Sequence, residues 1–228
     1  MDFESPALTG PDQRAPSPAE HPPAGYTLVL PPGWEQIPVR AGTDEAISAI
    51  LEDKFRNLPK KLPRDKLAPY RAEVEGRLRK LAADARRNGA VDLYMPVEFR
   101  RGTPIAASFI VAEGSAGTAG TVSAGQLVTF LAGEAGGGVV TVDGSTGVRS
   151  EQVSPPDPGQ DIEFGSRRVD YVLPVPAQDD RWLVFGFSAL GAGDPDDGYA
   201  KLLVQLFDAI MSTFRWTTAE TEPPEGDQ

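Results

Sequence analysis

Two periods run through the chain. At a step of two, Val169, Tyr171, Leu173 and Val175 alternate with Asp170, Val172 and Pro174, and past a polar turn Leu183, Phe185 and Phe187 alternate with Trp182, Val184, Gly186 and Ser188. That spacing predicts a β-hairpin. Both sides of its second strand are apolar, so this strand is expected at the centre of a sheet and covered on both faces. At steps of three and four, Ala46, Ile47, Ile50, Leu51, Phe55 and Leu58 mark a helix over 43–58, with Thr43 or Asp44 as its N-cap. Leu67, Tyr70, Val74, Leu78, Leu81 and Ala85 mark a longer helix over 65–88, which Asn88-Gly89 stops. A third helix is predicted over 196–214, with Tyr199, Leu202, Leu203, Leu206, Ile210 and Phe214 facing inward.

The remaining elements follow from turn chemistry. Strands Tyr26–Leu30 and Glu35–Val39 flank Pro31-Pro32-Gly33, with Trp34 expected to pack onto the sheet. Asp92–Phe99 and Ile105–Ala112 read as a hairpin turning at Arg101–Pro104. The Gly/Ala/Ser-rich run 114–125 reads as a mobile loop, Gln126–Glu134 as a short helix, and 136–153 as a further strand pair. Hairpin connections imply antiparallel pairing, and helices at both ends of the chain can cover the sheet. The predicted class is α+β: a central antiparallel sheet flanked by helices, in one domain over 25–216. Residues 1–24 hold six prolines and read as a disordered arm; residues 217–228 read as a disordered acidic tail.

Composition narrows the chemistry. With no cysteine among 228 residues, disulfides, thiolate nucleophiles and Cys-ligated metals are excluded. The net charge of −11 disfavours a generic nucleic-acid binder. No basic segment followed by an apolar one opens the chain, and no apolar run approaches the roughly 18 residues of a membrane helix, so a cytoplasmic protein is expected, monomeric or weakly oligomeric. The single histidine, His21, lies in the proline-rich arm, whereas a histidine base needs a rigidly placed imidazole. Asp194–Gly198 invites a calcium loop, but the twelfth position from Asp194 is Gln205, which lacks the bidentate carboxylate; a helix cap is the simpler reading. Paired Asp179-Asp180 and Asp196-Asp197 sit at a turn and a helix start, where aspartate is favoured locally. The glycine runs near 133–147 lack the Lys-Ser/Thr of a phosphate loop. No catalytic residue, cofactor or metal is assigned.

One segment rises above this background. Residues 54–87 carry twelve Lys/Arg against four acidic residues, a net +8 inside an acidic chain. Long cationic side chains are good helix formers and ordinarily make a solvated face. Gathered on one layer, they also create a field that steers an acidic partner. Lys60, Lys61, Arg64, Lys66, Arg77, Arg79 and Lys80 are the candidate partner-binding residues.

The Leu30-Pro-Pro-Gly-Trp34 turn, the hairpin 171–188 and the closing helix "LVQLFDAIMSTFRW" together resemble the Mog1/PsbP/DcrB-like superfamily, actinobacterial members included. The resemblance covers about two-thirds of the chain by pattern. It implies a central antiparallel sheet flanked by helices, and a last helix followed by an aromatic residue near the sheet, here Trp216. It also implies a binding role as adaptor, chaperone or assembly factor for another protein. It carries over no catalytic residue. The alternative is a small-ligand or carboxylate-dependent enzyme site beneath the 114–125 loop; a third reading is an oligomerising module that uses an exposed sheet edge.

Overall fold

The computed structural model describes residues 21–56, 64–97, 99–100, 103–116, 123–134, 137–154, 165–190 and 196–218. In chain order the elements are β1 (Gly25–Thr27), β2 (Trp34–Pro38), α1 (Thr43–Arg56), α2 (Arg64–Arg87), β3 (Ala90–Pro96), β4 (Phe99–Arg100), β5 (Thr103–Pro104), β6 (Ala107–Ser115), α3 (Ala124–Glu134), β7 (Gly138–Val142), β8 (Ser145–Ser154), β9 (Ser166–Pro174), β10 (Arg181–Leu190), α4 (Gly198–Ser212) and β11 (Arg215–Thr217). Seven strands form one sheet in the order β2-β3-β6-β10-β9-β8-β7, with every neighbouring pair antiparallel. The fold is α+β with a central antiparallel sheet flanked by helices.

The period-two pattern decides which way the sheet faces. Leu183, Phe185 and Phe187 of β10 stand opposite Leu173, Tyr171 and Val169 of β9, and all six are buried on one side. α4 closes over that side. Its Phe207 stacks on Phe187 at 4.7 Å and meets Phe109 at 5.3 Å and Tyr171 at 5.6 Å. Asp197 caps the helix by accepting the Ala200 N–H at 2.6 Å, so the "DPDDG" run supplies a cap, as expected. Beyond the helix, Phe214 and Trp216 meet edge-to-face at 4.9 Å, and the Trp216 indole donates to Ser145 Oγ at 2.9 Å, which ties the end of the fold to β8.

The opposite side of the sheet is covered in two separate pieces. α1 and α2 pack on β2 and β3 through Ile37, Val39, Ile47, Ile50, Leu51, Leu78, Ala82, Ala85 and Leu93. α3 packs over β7–β9. Gly89, at φ 81°, ends α2 in the left-handed conformation that glycine adopts without strain.

Several expectations are corrected. β1 does not pair with β2 across the Pro-Pro-Gly turn; it pairs with β11, because Tyr26 stacks on Phe214 at 5.8 Å while β2 is drawn to β3. β10 is central, but only its aromatic side is fully buried, since Val184 and Gly186 fall between the α2 and α3 layers and stay half-buried. α4 is rotated from its expected setting: Ala200, Leu203, Val204, Phe207, Ile210 and Met211 face inward, while Tyr199 and Leu202 are 39% and 58% exposed. Thr43 begins α1, yet its hydroxyl donates to the Pro38 carbonyl at 2.7 Å instead of capping the helix. Thr217, expected in the tail, ends β11. The arm over 1–20, the tail over 219–228 and residues 117–122 of the expected 114–125 loop lie outside the described residues; Gly114 and Ser115 of that stretch end β6, and Ala124 and Gly125 begin α3.

Candidate docking surface

Between α1 and α2 the layer does not close. Ile50, Leu51 and Phe55 from α1, and Tyr70, Val74, Leu78 and Leu81 from α2, form the walls of a groove of about 620 Å3 whose floor is Met95, Pro96, Val97 and Ile105. The cause lies in the chain. Among its described side chains α2 buries one large residue, Leu78, beside the small Ala82 and Ala85, with Val74 partly buried, so little bulk fills the space between it and α1. Tyr70 is left 50% exposed and Leu81 46% exposed, at positions a period of 3.6 places on the inward stripe. The Phe55 and Tyr70 rings meet at 6.1 Å, tilted, at one end of the groove. Its size falls within the roughly 300–1,000 Å3 of ligand-binding clefts.

Cations rim this apolar floor. Lys54 and Arg77 belong to the groove lining, and the Arg71 guanidinium lies 5.9 Å from the Phe55 ring centre. Several of these charges already have acidic neighbours. Arg77 pairs with Glu73 at 2.5 Å, one helical turn away, and Lys54 lies 3.4 Å from both Glu35 and Asp53. Arg79 bridges the two helices through Asp44 at 2.9 Å and also meets Glu75 at 2.8 Å; these hydrogen bonds, the one to Asp44 foremost, raise its pKa above the ordinary arginine value. Arg86 turns inward to the Val39 and Arg40 carbonyls. The segment that reads as +8 in sequence is therefore partly neutralised by acids from α1 and β2 as well as its own.

The candidate residues divide accordingly. Arg77 lines the groove; Arg79 and Lys80 are exposed on the outer side of α2, Arg79 as an interhelical tie. Arg64 and Lys66 fall in the first turn of α2, and Lys60 and Lys61 lie outside the described residues. Phe55, Tyr70, Val74 and Leu81 were legible only as core positions, since the hydrophobic period of each helix does not say how closely the two helices pack together.

Two other polar clusters are built for packing. Asp208 of α4 accepts from Arg149 Nε at 2.9 Å, from its Nη2 at 3.0 Å and from the Tyr171 hydroxyl at 2.8 Å. Arg149 also reaches Glu151 at 2.9 Å, and buried Arg167 pairs with Glu151 and Asp196. Burial works against the Glu151 carboxylate, but hydrogen bonds from Arg149 and Arg167 outweigh it and hold its pKa below the ordinary 4.5. On the same sheet face, Tyr26 donates to Asp92 at 2.5 Å and meets the Tyr94 hydroxyl at 3.0 Å; burial first, and the neighbouring acid groups next, push Tyr26 well above the usual phenol range. Among the described residues no buried side-chain polar atom lacks a partner, and no group of three His, Asp or Glu side chains is placed to hold a metal ion. His21 is exposed. No helix among the described residues is long and apolar enough to cross a membrane.

No protein-family model matches the chain, and no curated protein matches it. Among solved structures, a crystal structure from Bacteroides thetaiotaomicron VPI-5482 at 1.50 Å resolution aligns with 60% of this chain and 41% of its own, at 8% identity and a TM-score of 0.38. A likeness of that size assigns no shared family.

Proposed function

We propose that the chain is a protein-binding adaptor whose α1–α2 groove receives an acidic amphipathic helix of a partner protein. The observation that carries this reading is the groove itself, an apolar trough with exposed Tyr70 and Leu81 inside a rim of Lys54, Arg71 and Arg77. A helix laid in such a trough seats apolar side chains at i, i+3, i+4 and i+7, and carboxylates along its flanks meet the cations. Because Arg77 and Lys54 already have acidic neighbours, the apolar floor supplies most of the affinity and the rim supplies orientation and association rate. The pattern resemblance to a superfamily of binding and assembly factors supports the same class of role, by analogy of fold.

A designed acidic peptide with leucines at i, i+3, i+4 and i+7, and its counterpart with every Glu replaced by Lys, test the reading by fluorescence anisotropy. The acidic peptide is expected to bind, the basic one at least tenfold more weakly, and both Leu81→Glu and Arg77→Glu to weaken the acidic complex. Equal affinity for the two peptides, or none for either, rules the adaptor groove out. Displacement of the peptide by a long-chain carboxylate would instead favour a small amphiphilic ligand.

A further inference from the structure

Among the described residues the seven-stranded sheet has two edge strands, β2 and β7, and they differ in how they are protected. β2 carries Glu35 and Pro38 within five residues, a charge and a residue without an N–H, both of which obstruct strand addition. β7 reads Gly-Val-Val-Thr-Val, with neither charge nor proline, and Val139 is 62% exposed. Among the described residues β7 pairs with β8 alone.

The turn between β7 and β8 fixes which backbone groups point outward. Asp143 and Gly144 both have positive φ, 45° and 78°, which makes a two-residue type I′ loop. Val142 and Ser145, the residues that flank it, are then the first hydrogen-bonded pair. By alternation, Val142, Val140 and Gly138 direct their N–H and C=O groups to β8, and Val139 and Thr141 direct theirs away from the sheet.

We propose that this edge pairs antiparallel with the β7 edge of a second copy, about a two-fold axis at Val140. That axis sets Val139 opposite Thr141 of the second copy and the reverse, so the outward donors and acceptors of both strands meet in about four hydrogen bonds. The arrangement is self-complementary, as a two-fold interface requires. It also suits the charge. Two chains of net −11 repel one another, and an uncharged strand is where they approach without setting like charges opposite. A contact centred on five residues falls short of the roughly 1,000 Å2 that a lasting interface clears, so the dimer is weak and concentration-dependent. Added salt screens the repulsion between the chains and strengthens it. This surface is independent of the α1–α2 groove.

Sedimentation equilibrium of the full chain, from micromolar to near-millimolar concentration and at low and high salt, reads the association directly. Reversible dimerisation that increases with salt is expected. Val139→Lys combined with Thr141→Lys, both at exposed positions, is expected to give a folded monomer by circular dichroism and sedimentation. A wild-type monomer throughout the range overturns the proposal, and so does a dimer that survives both lysines.

Discussion

The two helical layers on the sheet are made from opposite materials. α4 is apolar along its buried side and sets Leu203, Val204, Phe207, Ile210 and Met211 into the aromatic face of β9 and β10. α2 is longer, is half charged residues, and buries Leu78, Ala82 and Ala85. Burial of large side chains is where folding free energy comes from, at about 1.5–3 kcal/mol each. The α4 layer therefore carries the larger aromatic core, while in the α1–α2 layer the large buried side chains come mostly from α1 and β2, α2 adds little, and a groove stays open between the two helices. A helix that contributes less to stability can present its surface to a partner at small cost to the fold.

Substitutions in the two layers test this division. The largest effect is expected for Phe207→Ala, which removes a fully buried ring from contact with Phe109, Tyr171 and Phe187. A loss of about 3–5 kcal/mol in urea denaturation is expected; a loss below 1 kcal/mol would break the contrast between the layers. Asp208→Asn, which leaves Arg149 and Tyr171 without their carboxylate, is expected to cost about 1–2 kcal/mol, limited by partial exposure of the pair. Replacement that proves neutral would show the α4 seam to be passive.

Glu151 gives a pH signature. Its pKa is lowered in the folded chain, so its pairing contributes stability above the ordinary 4.5 and loses it as pH falls below that value toward the folded pKa. Thermal melts are expected to show a falling acid limb, shallower in Glu151→Gln; identical limbs would remove Glu151 as a contributor. The smallest stability effect is expected for Leu81→Ala, within about 0.5 kcal/mol because the residue is nearly half exposed. The same substitution is expected to weaken acidic-peptide binding severalfold in anisotropy. A large stability loss there would show that the groove belongs to the core after all.

Much of the fold was legible because local chemistry and tertiary packing agree. Asn88-Gly89 ends α2, the Asp194–Gly198 run caps α4 through Asp197, and the alternation of β9 and β10 marks a hairpin whose second strand is central in the sheet. The inward side of α4 was misread because Tyr199 and Leu202 lie beside the true stripe, and hydrophobicity alone does not say which neighbours of a Leu-rich stripe meet the sheet. The basic segment was legible as charge, but the acids Asp44 and Glu35 that partner Arg79 and Lys54 come from elements distant in sequence.

The sequence by itself determined the period of the main helices and strands, the stop of α2 and the antiparallel connections, because backbone geometry and turn chemistry act over a few residues. Only the tertiary structure decided that β1 joins β11, that α1 and α2 leave a groove between them, and that among the described residues β7 pairs on one side alone. Those outcomes depend on how large surfaces fit against one another, and complementary shape between distant segments has no local signature.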